Sequence, residues 1–327
     1  MQYLKNEALP VIRSDWKGNP FHNNEFQYLD TPFRPSFRQL FKWQTSRNPQ
    51  REEKKAETWT VPVSSTTNFL QAAEDFITWL GHASFLIQIN GIRLVIDPVL
   101  YDLPFIKRQV SVPFPIEALE GIDYLLLSHD HRDHCDKKSI QNLLGNNTPA
   151  KILTSLGMSR TIKSWVEPLI IEEAGWYQKY QTEGGVDIYF MPSRHWSRRG
   201  LFDFNRVLWG SFVIQHGNKT IYFGADSGPG DHFSEIGQLF PEIDVAMIGI
   251  GAYAPDYMMQ EIHTSPEQAT DAFLQLGAKK LIPMHYGTYD LSDEPMGEPY
   301  RWIKQIFEEQ KMLERLILAR VGEAITI

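Results

Sequence analysis

The stretch Ser128-His129-Asp130-His131-Arg132-Asp133-His134 constrains this chain more than any other. It sets three histidines and Asp133 in the pattern H-x-H-x-D-H, directly after the apolar run DYLLLS (123–128). Such a run reads as a buried strand, so the fold must contain a strand whose end delivers these side chains together. Imidazole and carboxylate are ligands suited to zinc and similar divalent ions. In an extended segment His129 and His131 point the same way, and a turn then aims Asp133 and His134 at a neighbouring point. That geometry favours two metals over one. The plain alternative is a solvated loop rich in histidine, but 10 histidines in 327 residues make such clustering uncommon by chance. A dinuclear site needs further ligands, and three candidates stand just past other strand-like runs. They are His195 after VDIYFMPSR, Asp226 after TIYFGA and His285 after KKLIPM. Ligands gathered at several strand ends are how a rigid scaffold builds a site.

The runs around them predict the rest. ITWLGHASFLIQI and IRLVID are strand-like around Asn90-Gly91, a type I′ hairpin signal. AKILTS, GSFVIQ, DVAMIGIG and a final RLILAR also read as strands, with a turn at His216-Gly217-Asn218. CDKKSIQNLL, GMSRTIKSWV and EPYRWIKQIFEEQKMLE read as helices, and Ser265-Pro266-Glu267-Gln268 carries a capping box that opens a helix ending at Gly277. Residues 1–75 are rich in proline, arginine, asparagine and aromatics. They predict an extension wrapping a core domain of residues 76–327, with a helix near Ser36–Gln44. The fold class is α/β, two mixed sheets packed together with helices outside.

Composition narrows the function. At 42% hydrophobic and 22% charged the chain is neither disordered nor fibrous, and a net charge of -8 weighs against a nucleic-acid partner. The single cysteine, Cys135, excludes an intrachain disulfide. The N-terminus lacks a leader-like apolar segment, and no run of 18 apolar residues occurs. A cytoplasmic protein is expected, meeting a membrane only at its surface.

The pieces WLGHASF (79–85), IDPVL (96–100), LSHDHRDHCD (127–136), PSRHWSRR (192–199), VLWGSF (207–212), YFGADSG (222–228), IGAYAP (250–255), IHTSPEQA (262–269) and MHYGT (284–288) run in a familiar order. The sequence resembles the metallo-β-lactamase fold and, more narrowly, the branch of N-acylphosphatidylethanolamine-hydrolysing phospholipase D. H-x-H-x-D-H marks only the superfamily; the HW after PSR, VLWGS and GAY point to the branch. The resemblance covers about residues 76 to 320, and residues 1–75 match weakly.

That resemblance implies an αββα sandwich holding two zinc ions; the ligand types also admit iron or manganese as lesser alternatives. His129, His131 and His195 would hold one metal, Asp133, His134 and His285 the other, and Asp226 would bridge both. A hydroxide bridging the pair would attack phosphorus, with catalytic roles at Asp133 and at His263, the latter as substrate contact or acid. The implied reaction releases phosphatidic acid and an N-acylethanolamine from N-acylphosphatidylethanolamine-like phospholipids. Asp226 favours phosphodiester or thioester hydrolysis, because β-lactam hydrolases of the superfamily often carry cysteine there. His134 favours hydrolysis over the redox chemistry of di-iron relatives. One rival is a lactonase or other ester or phosphodiester hydrolase on the same centre. Another is a metal-binding membrane-surface protein without turnover.

Asp97 and His82 are expected to support the ligands from behind, each weighed against a turn-forming role. Arg194, Arg198 and Arg199 suit phosphate oxygens or a solvated basic loop, and Tyr253 is a further candidate substrate contact. Phe33, Phe37 and Phe41 recur beside Arg34, Arg38 and Lys42, a pattern for core packing or for an anionic membrane surface. Residues 101–114, with Met258 and Met259, suit an acyl-chain groove or ordinary packing. Cys135 reads as a packing residue. A phospholipid or other phosphodiester substrate is the expected partner, and a homodimer is compatible with the sequence.

Overall fold

The computed structural model describes residues 1–29, 33, 34, 36–71 and 73–327; Asp30, Thr31, Pro32, Pro35 and Ala72, all within the expected extension, lie outside the described residues. The extension opens with a small antiparallel sheet of β1 (Gln2–Leu4), β2 (Asn19–His22) and β3 (Glu25–Phe26), followed by helices α1 (Phe37–Thr45) and α2 (Arg51–Ala56). Leu9, Phe26, Tyr28 and Val61 enter the main core. Ile12 donates its N–H to Tyr177 O at 2.8 Å, and Phe26 to Asn205 O at 2.7 Å. Helix α1 buries no residue. It is held by Gln39 Nε2 to Tyr257 O at 2.6 Å and by Trp43 Nε1 to Asp293 Oδ1 at 3.0 Å.

Strand periodicity then decides the architecture. Along β4 (Phe76–Gly81), Ile77 and Trp79 join one buried cluster while Phe76 and Leu80 join another. The alternation repeats through β5 (Ser84–Ile89), β6 (Ile92–Ile96), β7 (Tyr124–Leu127) and β8 (Lys151–Ser155). Strands apolar on both faces must be covered on both. One cover is helical: Ile140 and Leu143 of α3 (Lys137–Asn146) and Ile162 and Val166 of α4 (Ser159–Val166) pack there. The other is a second sheet. With β9 (Ile171–Ala174) and β16 (Ala324–Thr326), the first sheet has seven strands ordered β16-β4-β5-β6-β7-β8-β9, antiparallel as far as β6 and parallel from there.

The second sheet has six strands in chain order: β10 (Gln178–Lys179), β11 (Asp187–Met191), β12 (Ser211–His216), β13 (Lys219–Phe223), β14 (Val245–Gly249) and β15 (Lys280–Met284). It is antiparallel to β13 and parallel beyond. Phe85 of the first sheet meets Phe223 of the second with ring centroids 6.1 Å apart. Its outer face carries α5 (His232–Leu239) and α7 (Pro266–Leu276); between them in the chain the short α6 (Asp256–Met259) meets α1, and α8 (Glu298–Glu309) packs on α7. The expected sandwich of two mixed sheets between helices is therefore what forms.

Local chemistry agrees at several ends. Asn90 and Gly91 both have positive φ (50° and 75°), as a type I′ turn requires. Ser265 and Gln268 form the full capping box of α7, which stops at left-handed Gly277. Two expectations need correction. ITWLGHASFLIQI is two strands, because the chain reverses at Gly81-His82-Ala83, with His82 at φ 53°. RLILAR is not the last strand. Ala319 turns its N–H back to Ile317 O at 3.1 Å, leaving only a single bridge from Leu316 to Leu281. The final strand is β16, on the other sheet.

Candidate metal centre

The candidate ligands sit where strands stop. His129, His131, Asp133 and His134 follow β7, His195 follows β11, Asp226 follows β13 and His285 follows β15. Asp97 follows β6, and His82 occupies the β4–β5 turn. Three of these residues, His82, Asp97 and His285, stand at φ 53°, 42° and 62°. Such conformations cost on the order of 1–3 kcal/mol each and persist where surrounding structure enforces them.

The side chains converge as two groups. His129 Nε2 lies 2.9 Å from His131 Nδ1, which lies 3.1 Å from His195 Nε2. In the second group Asp133 Oδ2 lies 3.6 Å from His285 Nε2 and 3.9 Å from His134 Nε2. Asp226 stands between. Its Oδ1 is 3.1 Å from both His134 Nε2 and His285 Nε2, while its Oδ2 is 3.5 Å from His195 Nε2 and 4.0 Å from His129 Nε2.

The rings are oriented from behind. His134 Nδ1 donates to Asp97 Oδ2 at 2.8 Å, and His195 Nδ1 to Ile262 O at 3.0 Å. His129 Nδ1 lies 2.9 Å from Ser128 Oγ, whose hydroxyl donates to Asp97 at 2.5 Å. His82 Nε2 donates to Asp133 Oδ2 at 3.1 Å. Each bond fixes a tautomer and turns the other ring nitrogen, or the carboxylate, inward.

Electrostatics follow burial. Burial pushes His129 and His195 well below the usual histidine range and His131 down to about 4, so all three are neutral. Burial also opposes charge on His285 and His134, but the carboxylates around them together outweigh it, Asp226 and Asp133 for both and Asp97 for His134, raising His285 to about 9 and His134 well above its ordinary value. Asp226 and Asp133 remain ionised despite burial because the histidines hold them well below the usual carboxylate range.

These residues fit divalent cations. His134 Nε2, His285 Nε2 and Asp226 Oδ1 are buried and, although each nitrogen lies 3.1 Å from that oxygen, make no well-formed hydrogen bond among the described residues, which native interiors seldom tolerate. Inward lone pairs of neutral imidazoles 2.9–3.1 Å apart repel unless a cation lies among them. Tetrahedral zinc–nitrogen bonds of about 2.1 Å set ligand atoms about 3.4 Å apart, close to the separations found. Sets of ligand atoms within 4.8 Å of one another include His129, His131, His195 and Asp226, and His82, Asp133, His134 and His285.

Comparison with known proteins matches residues 92–286 to the beta-lactamase superfamily domain. Over 336 aligned residues the chain is 30% identical to N-acyl-phosphatidylethanolamine-hydrolyzing phospholipase D 1 of Caenorhabditis elegans, covering 95% of this chain and 94% of that one. The chain belongs to the beta-lactamase superfamily. It is a metal-dependent hydrolase of that family. The mitochondrial N-acyl-phosphatidylethanolamine-hydrolyzing phospholipase D of Saccharomyces cerevisiae is 27% identical over 80% of this chain and 58% of its own length. Among solved structures, a possible metal-dependent hydrolase from Veillonella parvula superposes with a TM-score of 0.63 at 14% identity, covering 78% of this chain and all of that one. It shares the fold.

In this superfamily member a cavity of about 400 Å³ opens onto the centre. His131, Asp133, Asp226, His263 and His285 line it, and the other walls are mainly apolar: Phe33, Leu40, Trp43, Trp196, Met258, Met259 and Ile262. His263 Nδ1 is 4.0 Å from Asp226 Oδ2, and burial lowers it to about 4. It is neutral at pH 7, so it offers one N–H rather than a stored proton.

The expected substrate contacts divide. Arg198 lines the cavity. Arg199 is spent on the backbone, donating to Asp130 O at 3.0 Å and Cys135 O at 2.7 Å. Arg194 bonds Pro229 O and pairs with Glu261, and Tyr253 donates its hydroxyl to Glu298 at 2.6 Å. These three side chains are committed away from the cavity. Residues 101–114 also lie off it: Leu103 packs with Val99 and Tyr289, and Phe114 joins the helical side of the first sheet. Leu40, Trp43 and Arg132, which no sequence motif singles out, also line the cavity. Ser36, Leu40 and Trp43 recur at i, i+4 and i+7, one face of α1. The neighbouring phenylalanine stripe masked that face.

Proposed function

We propose that this protein is a phospholipase D-type phosphodiesterase acting on N-acylphosphatidylethanolamine or a closely similar phospholipid at a pair of divalent cations, zinc first among them. The observation that carries the reading is Asp226, whose two oxygens turn to two separate ligand groups at the floor of an apolar cavity. His129, His131 and His195 would hold one cation and Asp133, His134 and His285 the other. When bound, such cations supply Lewis-acid stabilisation of phosphoryl oxygens and a water acidified to near neutrality. Asp97 and His82 hold the ligands in register, Asp133 keeps its charge, and His263 gives its N–H to a substrate oxygen. Arg198 and Arg132 offer guanidinium groups to the phosphate. The apolar walls exclude water and receive an acyl chain.

A membrane surface is the second partner in this reading. Phe37 and Phe41 are 85% and 63% exposed on α1, beside Arg34, Arg38 and Lys42, and Leu201 and Phe202 are exposed near Arg198. Apolar side chains amid cations suit an anionic lipid interface. Among the described residues no helix is long and apolar enough to cross a membrane.

Purified protein with its metal counted, incubated with N-acylphosphatidylethanolamine in detergent, tests the proposal. Phosphatidic acid and N-acylethanolamine should form with wild type and not with Asp226→Asn. Cleavage of lactones or soluble phosphodiesters alone would contradict the lipid assignment.

A further inference from the structure

Ser227 directly follows Asp226. Its Oγ accepts the backbone N–H of Arg194, the residue before His195, at 3.0 Å. Gly228 N–H reaches Arg194 O at 2.8 Å. These two bonds clamp the loops that present Asp226 and His195.

The clamp is the inner end of a longer chain. Ser227 Oγ lies 2.9 Å from His232 Nε2, and His232 Nδ1 lies 3.2 Å from the Tyr28 hydroxyl. Tyr28, Ser227 and His232 are all buried. One proton arrangement satisfies every member. Tyr28 O–H donates to Nδ1, Nε2–H donates to Ser227 Oγ, and Ser227 O–H donates to Gly228 O at 2.8 Å. The neutral ring with its proton on Nε2 completes the chain, and each link fixes the next. Tyr28 belongs to the extension, while Ser227 belongs to the centre.

We propose that Tyr28, His232 and Ser227 are positioning residues through which the N-terminal extension sets the separation of Asp226 and His195, and with it the affinity of the centre for divalent cations. The inference rests on the metal-ligand assignment above. It differs from a purely structural role because cation binding, rather than folding alone, depends on the chain.

The test is cobalt(II) titration of metal-free protein against a competing chelator, with the visible spectrum recorded at saturation. Partners behind metal ligands are typically worth roughly 10–100-fold in affinity. Ser227→Ala should lose affinity in that range and alter the cobalt spectrum. Tyr28→Phe should move both in the same direction by less, and Ser227→Thr, which keeps the hydroxyl, should restore them. Should Ser227→Ala fail to fold, Tyr28→Phe carries the test. Variants that bind cobalt with wild-type affinity and spectrum, even with lowered melting temperatures, would overturn the positioning role alone. Wild type that binds no cobalt would overturn the ligand assignment with it.

Discussion

Asp97 accepts the Nδ1–H of His134 at 2.8 Å, and neither side chain reaches solvent. The same carboxylate takes the Ser128 hydroxyl and backbone N–H, so one buried group aligns His134 and, through Ser128, His129. The two histidines belong to different ligand groups. Asp97→Ala should therefore weaken both cation positions, by roughly 10–100-fold in affinity. Chelator competition followed at both equivalents measures this, and loss at only one would contradict the shared support.

Arg198 and Arg199 are neighbours in sequence with different tasks. Arg199 spans Asp130 O and Cys135 O, bracketing the ligand loop, and its guanidinium lies 5.0 Å from the Trp165 ring centroid. Arg199→Ala should lower stability by about 1.5–3 kcal/mol, the range for hydrogen bonds that involve a charged group. Arg198→Ala should leave the melting temperature close to wild type and raise KM for a phosphodiester. Thermal unfolding beside steady-state kinetics separates the two. A raised KM confined to Arg199→Ala would reverse the assignment.

Phe37 and Phe41 contribute exposed apolar surface on a helix with no buried residue. Phe37→Ser with Phe41→Ser should change folding stability by no more than about 0.5 kcal/mol per site. Sedimentation with anionic vesicles should show weakened binding. Unchanged vesicle binding would remove α1 from the membrane-facing surface.

Cys135 is fully buried, and burial pushes its thiol well above the ordinary range. The thiolate is the reactive form. Iodoacetamide at pH 8 should leave native protein unmodified by mass spectrometry and alkylate it fully in denaturant. Rapid native labelling would contradict the packing role.

Much of this was legible because the informative patterns were local. H-x-H-x-D-H after an apolar run located the centre, and three further strand ends located its remaining candidates, which β7, β11, β13 and β15 do bring together. The capping box at Ser265 and the Asn90-Gly91 turn also depend on residues close in sequence. Legibility failed where distant partners decide. Nothing near Arg199 announces that its guanidinium serves the carbonyls of Asp130 and Cys135. Tyr253 pairs with Glu298, 45 positions away. The cavity wall from Ser36, Leu40 and Trp43 was written at helical spacing, but only tertiary packing shows which face of α1 meets the centre. The turn role of His82 is legible from Gly81-His82-Ala83, and the reversal there brings its ring against Asp133.

Activity of metal-free protein, measured as zinc is added back in fractions of an equivalent, tests the two-cation account most directly. Asp226 facing both ligand groups predicts turnover of N-acylphosphatidylethanolamine that climbs until two equivalents per chain and then levels, with Asp226→Asn inactive throughout. A plateau at one equivalent, or turnover without added metal, would contradict it.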